Sequence, residues 1–184
     1  MTATFKVPAL PSETGALLYF FSGVQLANNS IVQPVLQYGD NGTFGGNHWT
    51  IASWLLNCNG WSFYSEPIIV DPNDTIVASM DKTFDGAVYS WRITTTNSRT
   101  GEETTLRVDN LNSPPLNFYG GAFEAYHVAD CVKQYPASRS VTFQDITIRT
   151  PAGGIIAPVW GQNTPGPCPG LTVLISTTMT TLQY

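Results

Sequence analysis

The sequence predicts an all-β fold, a double-sheet antiparallel sandwich of the jelly-roll or concanavalin-like kind. Helical periodicity is nearly absent, and short runs rich in β-branched and aromatic residues recur along the chain. Pro, Gly or Asn-Gly punctuation separates these runs roughly every eight to fifteen residues, the spacing of an antiparallel sandwich or barrel. A chain of 184 residues suits a single domain over 1–184, able to bury about 70% of the surface its unfolded form exposes. No linker, repeat or charge block marks a second unit.

Strands are expected over 17–25, 31–38, 48–56, 68–70, 75–80, 88–95, 104–108, 122–128, 141–148 and 171–177. Between them Asp40-Asn41-Gly42, Asp71-Pro72-Asn73-Asp74 and Arg99-Thr100-Gly101-Glu102 supply residues that tolerate positive φ or preset a turn. Long loops are expected over 135–140 and 161–170, where they would rim a site.

Charged residues are 11% and aromatics 12% of the chain, against roughly 25% charged in an ordinary soluble protein. With Thr, Ser, Asn and Gly abundant, this is the surface of an extracellular protein. The eight Lys and Arg are scattered and the net charge is −5, so nothing tracks phosphates and nucleic acid is excluded as a partner. No apolar run approaches the ~18 residues of a membrane span. The first residues carry no signal-peptide pattern, which fits a mature form restarted at Met1. Sequons begin at Asn28, Asn41 and Asn73, all in turn-like segments, and mark these as glycosylation sites. Cys58, Cys131 and Cys168 leave one cysteine over in an oxidising compartment. The expected pair is Cys58 with Cys131, because Cys168 lies in the loop Pro165-Gly166-Pro167-Cys168-Pro169-Gly170; the other reading is three buried thiols.

Alternation along a strand puts Ile31, Gln33, Val35 and Gln37 on one face. By the same rule Thr50, Ala52 and Trp54 share a face, as do Ala122, Glu124 and Tyr126. Glu124 is the one acid set in a mostly apolar strand; burial would raise its pKa and prepare it as a general acid. The plainer reading makes Glu124 and the two glutamines solvent-facing residues of half-exposed strands. His48 and His127 are too isolated for a metal site, no metal or other cofactor is expected, and neither a Gly-x-Ser-x-Gly elbow nor a second embedded acid is present. Of Trp49, Trp54, Trp61, Trp91 and Trp160, about three belong to the core by the usual burial of Trp.

The order of segments resembles the fungal glutamic peptidases, the eqolisins, over roughly residues 18–148. Ser30-Ile31-Val32-Gln33-Pro34 looks like the family's strand with its catalytic Gln. Pro72-Asn73-Asp74-Thr75-Ile76 resembles its Gly-Asp-Thr-Ile turn, and Ala122-Phe123-Glu124-Ala125-Tyr126 stands where it has Ala-Glu-Trp. The resemblance implies a sandwich with Gln33 and Glu124 as facing catalytic residues. The family's further acids are replaced here by Gln37 and by Ala52 or Ser53, as in a scaffold put to another use.

In length, secretory character, sequons and strand pattern the chain is also similar to the small fungal hetero-Diels-Alderases of tropolone sesquiterpenoid pathways. That resemblance implies a secreted cyclase joining a tropolone quinone methide to a humulene-type olefin. A charge-poor, aromatic-rich cleft suits a small hydrophobic substrate. Gln33 and Glu124 are the expected catalytic pair, with Gln37, Trp54, Trp91, Arg92 and Tyr126 around the substrate. An acid-active glutamic peptidase and a lectin-like binding module are the rival readings, and a homodimer is left open.

Overall fold

The computed structural model describes residues 1–162, 168 and 170–184. Among them there is no helix, and fourteen strands form two antiparallel sheets. The strands are β1 (Thr2–Lys6), β2 (Leu17–Leu26), β3 (Ile31–Tyr38), β4 (Trp49–Leu56), β5 (Ser62–Tyr64), β6 (Ile68–Val70) and β7 (Thr75–Phe84) in the first half of the chain. They continue as β8 (Tyr89–Asn97), β9 (Glu103–Val108), β10 (Pro115–Tyr126), β11 (Ser140–Arg149), β12 (Ile155–Ile156), β13 (Thr172–Ser176) and β14 (Met179–Gln183). The six-stranded sheet runs β10-β2-β3-β4-β5, with β6 also on β4; the eight-stranded sheet runs β13-β14-β11-β1-β7-β8-β9, with β12 on β11.

Alternation builds the core. Leu18, Phe20, Leu36, Tyr38, Trp49 and Ile51 face Phe5, Ile76, Ala78 and Phe143 across the gap between the sheets. Val24, Val32 and Leu55 meet Met80, Trp91 and Ile93 in a second cluster. A buried hydroxyl chain crosses the same gap: Ser53 Oγ lies 3.0 Å from Thr95 Oγ1 and donates to the Thr104 carbonyl at 3.0 Å, and Thr104 Oγ1 donates to Ser65 Oγ at 2.6 Å.

β10 begins earlier than expected, because Pro115 and Gly120-Gly121 look like breakers in the sequence and are something else in the fold. Gly120 and Gly121 form an irregularity between Tyr119, which pairs with Gly23, and Ala122, which pairs with Phe21. A Cβ on Gly121 would sit 2.5 Å from the Phe143 ring, and one on Gly120 would sit 2.8 Å from Thr180 Oγ1. Glycine here lets the edge strand of one sheet touch the other. The two-residue step leaves Tyr119, Ala122 and Glu124 on one face.

The disulfide joins Cys131 to Cys168, with Cα atoms 5.9 Å apart, and Cys58 is free and exposed. This corrects the expected Cys58–Cys131 pair: Cys58 sits in the turn after β4, bonded through its N–H to Ser30 Oγ, whereas Cys168 stands beside Cys131. Apart from Cys168 and Gly170, the motif of 165–170 lies outside the described residues. The bridge closes a separation of 37 residues. Cys131→Ser is expected to lower stability by about 3 kcal/mol, read as a fall in melting temperature of about 10 °C. An equal melting temperature would show that the bridge constrains little.

Candidate functional site

The outer face of the six-stranded sheet is ruled into rows by its ladders. One row holds Glu124, Tyr19, Gln37 and Thr50; the next holds Ala122, Phe21, Val35 and Ala52; a third holds Tyr119, Gly23, Gln33 and Trp54. Gln33 and Glu124 therefore share a face, as alternation requires. They stand two strands and two rows apart, about 16 Å between Cα atoms by ordinary strand spacings. The residue in Gln33's own row on β10 is Tyr119, whose ring lies 3.3 Å from where a Gly23 Cβ would be.

Glu124 is exposed, not embedded as expected. β10 is the edge strand of its sheet, and Glu124 stands at the open rim of the face that ends there. Its carboxylate accepts a hydrogen bond from the Tyr126 hydroxyl at 2.9 Å. Burial, then that bond and the carboxylate's charge, push the Tyr126 hydroxyl up to about 12. Tyr126 thus remains a neutral donor across the physiological range. Tyr19 stands edge-on to Tyr126 at 6.1 Å, and its hydroxyl is also raised, first by burial, with the Glu124 charge adding to it. The three rows contain one carboxylate, Glu124.

Gln37 is 1% exposed and is a structural clamp: its Nε2 donates to the Gly39 and Phe44 carbonyls at 2.8 and 3.0 Å. Asn41 Nδ2 donates to Gln37 Oε1 at 3.1 Å, so the amide that would carry a sugar is engaged at this sequon. Asn28 and Asn73 are exposed. Trp54 lies on the site face against Tyr19, Phe44 and Tyr64, with ring centroids 5.9, 5.7 and 5.3 Å away. Trp91 and Arg92 do not join it. They belong to β8 in the other sheet, Trp91 in the core and Arg92 on the far surface, 3.7 Å from Glu103. Ser22 faces the core with its hydroxyl unpartnered.

Along the free edge of β10 the face continues into a cleft of about 770 Å³. Leu116, Ile156, Trp160 and Ile175 supply apolar walls, and Tyr119 and Glu124 belong to the rim it shares with the rows. Trp160 is fixed by its indole N–H, which donates to the Thr177 carbonyl at 3.2 Å. Sequence reading missed Tyr19, Phe44, Tyr119 and this cleft. Pairing register exposes the first and third; the cleft depends on β12 and β13 packing beyond a Pro/Gly-rich stretch that carries no pattern.

Among solved structures, the chain is similar to two glutamic peptidases. A crystal structure of scytalido-glutamic peptidase with a transition state analog inhibitor superposes with a TM-score of 0.63 at 18% identity, over 100% of this chain and 90% of that one. Aspergilloglutamic peptidase from Aspergillus niger gives a TM-score of 0.57 at 15% identity, over 91% and 98%. The expected eqolisin-like sandwich is thus the fold of this chain. No family model matches the chain, and no curated protein matches it.

Proposed function

We propose that this chain is a secreted, single-domain cyclase that joins a tropolone quinone methide to a humulene-type olefin by a hetero-Diels-Alder cycloaddition. The observation that carries the reading is the content of the space between Gln33 and Glu124. Ala122, Phe21 and Val35 fill it, and an apolar cleft adjoins it. A pair set to activate water needs its two groups on one reacting atom, about 3 Å from each; these two are set to hold the ends of a longer, largely apolar pair of reactants.

The chemistry asks little covalent work of the protein. Loss of one water from a hydroxymethyl tropolone gives the quinone methide: the ring hydroxyl gives up its proton, and the leaving hydroxyl takes one. Glu124 carries that proton from one oxygen to the other, held in place by the Tyr126 hydroxyl. The cycloaddition then forms one C–C and one C–O bond without breaking a σ bond. Gln33, whose side chain has no bond to another described residue, polarises the tropolone oxygen with its amide N–H. The olefin lies in the cleft along β10, where apolar walls fix its orientation and keep out water.

The test is to incubate the protein with a hydroxymethyl tropolone and humulene. A dihydropyran adduct of one stereochemistry, formed faster than without protein, is expected. A racemic adduct at the spontaneous rate would end the proposal. Cleavage of an unfolded protein at acidic pH, abolished by Glu124→Gln, would instead support the peptidase suggested by the fold neighbours.

A further inference from the structure

Phe21, Val35 and Ala52 point away from the inter-sheet core, yet they are 3%, 1% and 1% exposed. Among the described residues it is Tyr19, Trp54 and Phe44 that cover them. Phe44 comes from the loop over 39–48 between β3 and β4, and its ring lies 5.7 Å from Trp54 and 5.1 Å from Tyr64. That loop is fastened by the Gln37 amide and by Asn41. Gly39, Gly42, Gly45 and Gly46 in it have φ of 92, 87, 111 and 137°. Glycine takes these positive φ values without the steric cost that a side chain would carry.

Beneath Phe44 the Trp54 indole N–H is buried and unpartnered, with the side chain 8% exposed. Trp49 and Trp91 also carry unpartnered indole N–H groups, but they lie in the closed space between the sheets. Trp54 alone of the three is separated from solvent by a loop. A buried donor without an acceptor is rare and calls for an explanation. An acceptor arriving from outside supplies one.

We propose that the 39–48 loop is a lid on a binding pocket floored by Phe21, Val35 and Ala52. The pocket takes a flat apolar ring carrying an oxygen acceptor, which receives the Trp54 indole N–H as Phe44 swings aside. The identity of that ring as the tropolone half of the substrate rests on the function proposed above; the pocket itself does not. Gln33, beside Trp54 in its row, stands within reach of a second oxygen on the same ring.

Tropolone alone, and cycloheptatriene as a ring of the same size without oxygen, are the probes. Tropolone is expected to shift one indole N–H resonance of the wild-type protein, the resonance missing from Trp54→Phe. That variant should bind tropolone about fivefold to tenfold more weakly and cycloheptatriene equally well. Phe44→Ala, which trims the lid without straining backbone, should speed tropolone association at least threefold. Absence of any indole shift in the wild type overturns the pocket, as does equal tropolone affinity in Trp54→Phe. Because no readout is turnover, intact tropolone binding without adduct formation would sink the reaction and leave the pocket standing. Adduct formation without tropolone binding would do the reverse.

Discussion

Replacing Asp74 with Asn is expected to lower the melting temperature by about 10 °C at pH 7, and by almost nothing at pH 2. Asp74 is 3% exposed and accepts bonds from the Asp71 N–H at 3.0 Å, Asn97 Nδ2 at 2.7 Å and the Arg99 guanidinium. It ties the turn before β7 to the turn after β8, and its carbonyl receives the Val7 N–H at 2.9 Å. An amide in its place leaves charged and neutral donors poorly matched, a loss of about 3 kcal/mol. The Arg99 bond, assisted by those from Asp71 and Asn97, holds the Asp74 carboxyl down at about 2, well below the ordinary aspartate range. A carboxyl depressed in the folded state stabilises the fold above its unfolded value. That contribution is complete above about pH 4 and lost as pH falls through 2. Thermal melts of both proteins between pH 7 and pH 2 should therefore converge. A gap that stays constant with pH would mean that Asp74 works by shape and not by charge.

Glu124→Gln is expected to slow adduct formation from a hydroxymethyl tropolone about 100-fold, the loss typical of a removed proton carrier. The same variant should retain most of its rate when the quinone methide is generated in solution without the protein, because the cycloaddition moves no proton. Tyr126→Phe removes the bond at 2.9 Å that orients the carboxylate and should cost about tenfold at most. The measurement is the initial rate of the dihydropyran adduct from each precursor. Equal losses on both would move Glu124 from proton transfer to substrate positioning.

The faces of β2, β3 and β4 are legible from the sequence because period-two alternation is strong there. Gln33, Val35 and Gln37 do stand together, and Trp54 does share their side. Strand β3 falls at Ile31–Tyr38, as alternation and flanking turns place it. The environment of each side chain was not legible. Gln37 and Gln33 are chemically alike and four residues apart on one face of one strand, yet one clamps a loop and the other stands unbonded beside Trp54, which depends on how the chain returns through 39–48. Glu124 sits in an apolar strand that proves to be an edge, and edge position follows from the order of strands, not from local pattern. Trp91 and Arg92 show the same limit: a strand announces its own two sides but not the sheet to which it belongs. β1, β5, β12 and β14 were missed because they are short or lie near the ends of the chain, where turn punctuation is sparse.

The hydroxyls of Ser53, Thr95, Thr104 and Ser65 have a consequence for the opposite side of the same strand. Hydrocarbon layers resist separation but little opposes their sliding, whereas directional O–H contacts fix one offset. Ser53 lies between Ala52 and Trp54, so this fastening also sets where both neighbours stand on the outer side. The curvature presented to a ligand is thus determined from behind, by atoms no ligand would touch.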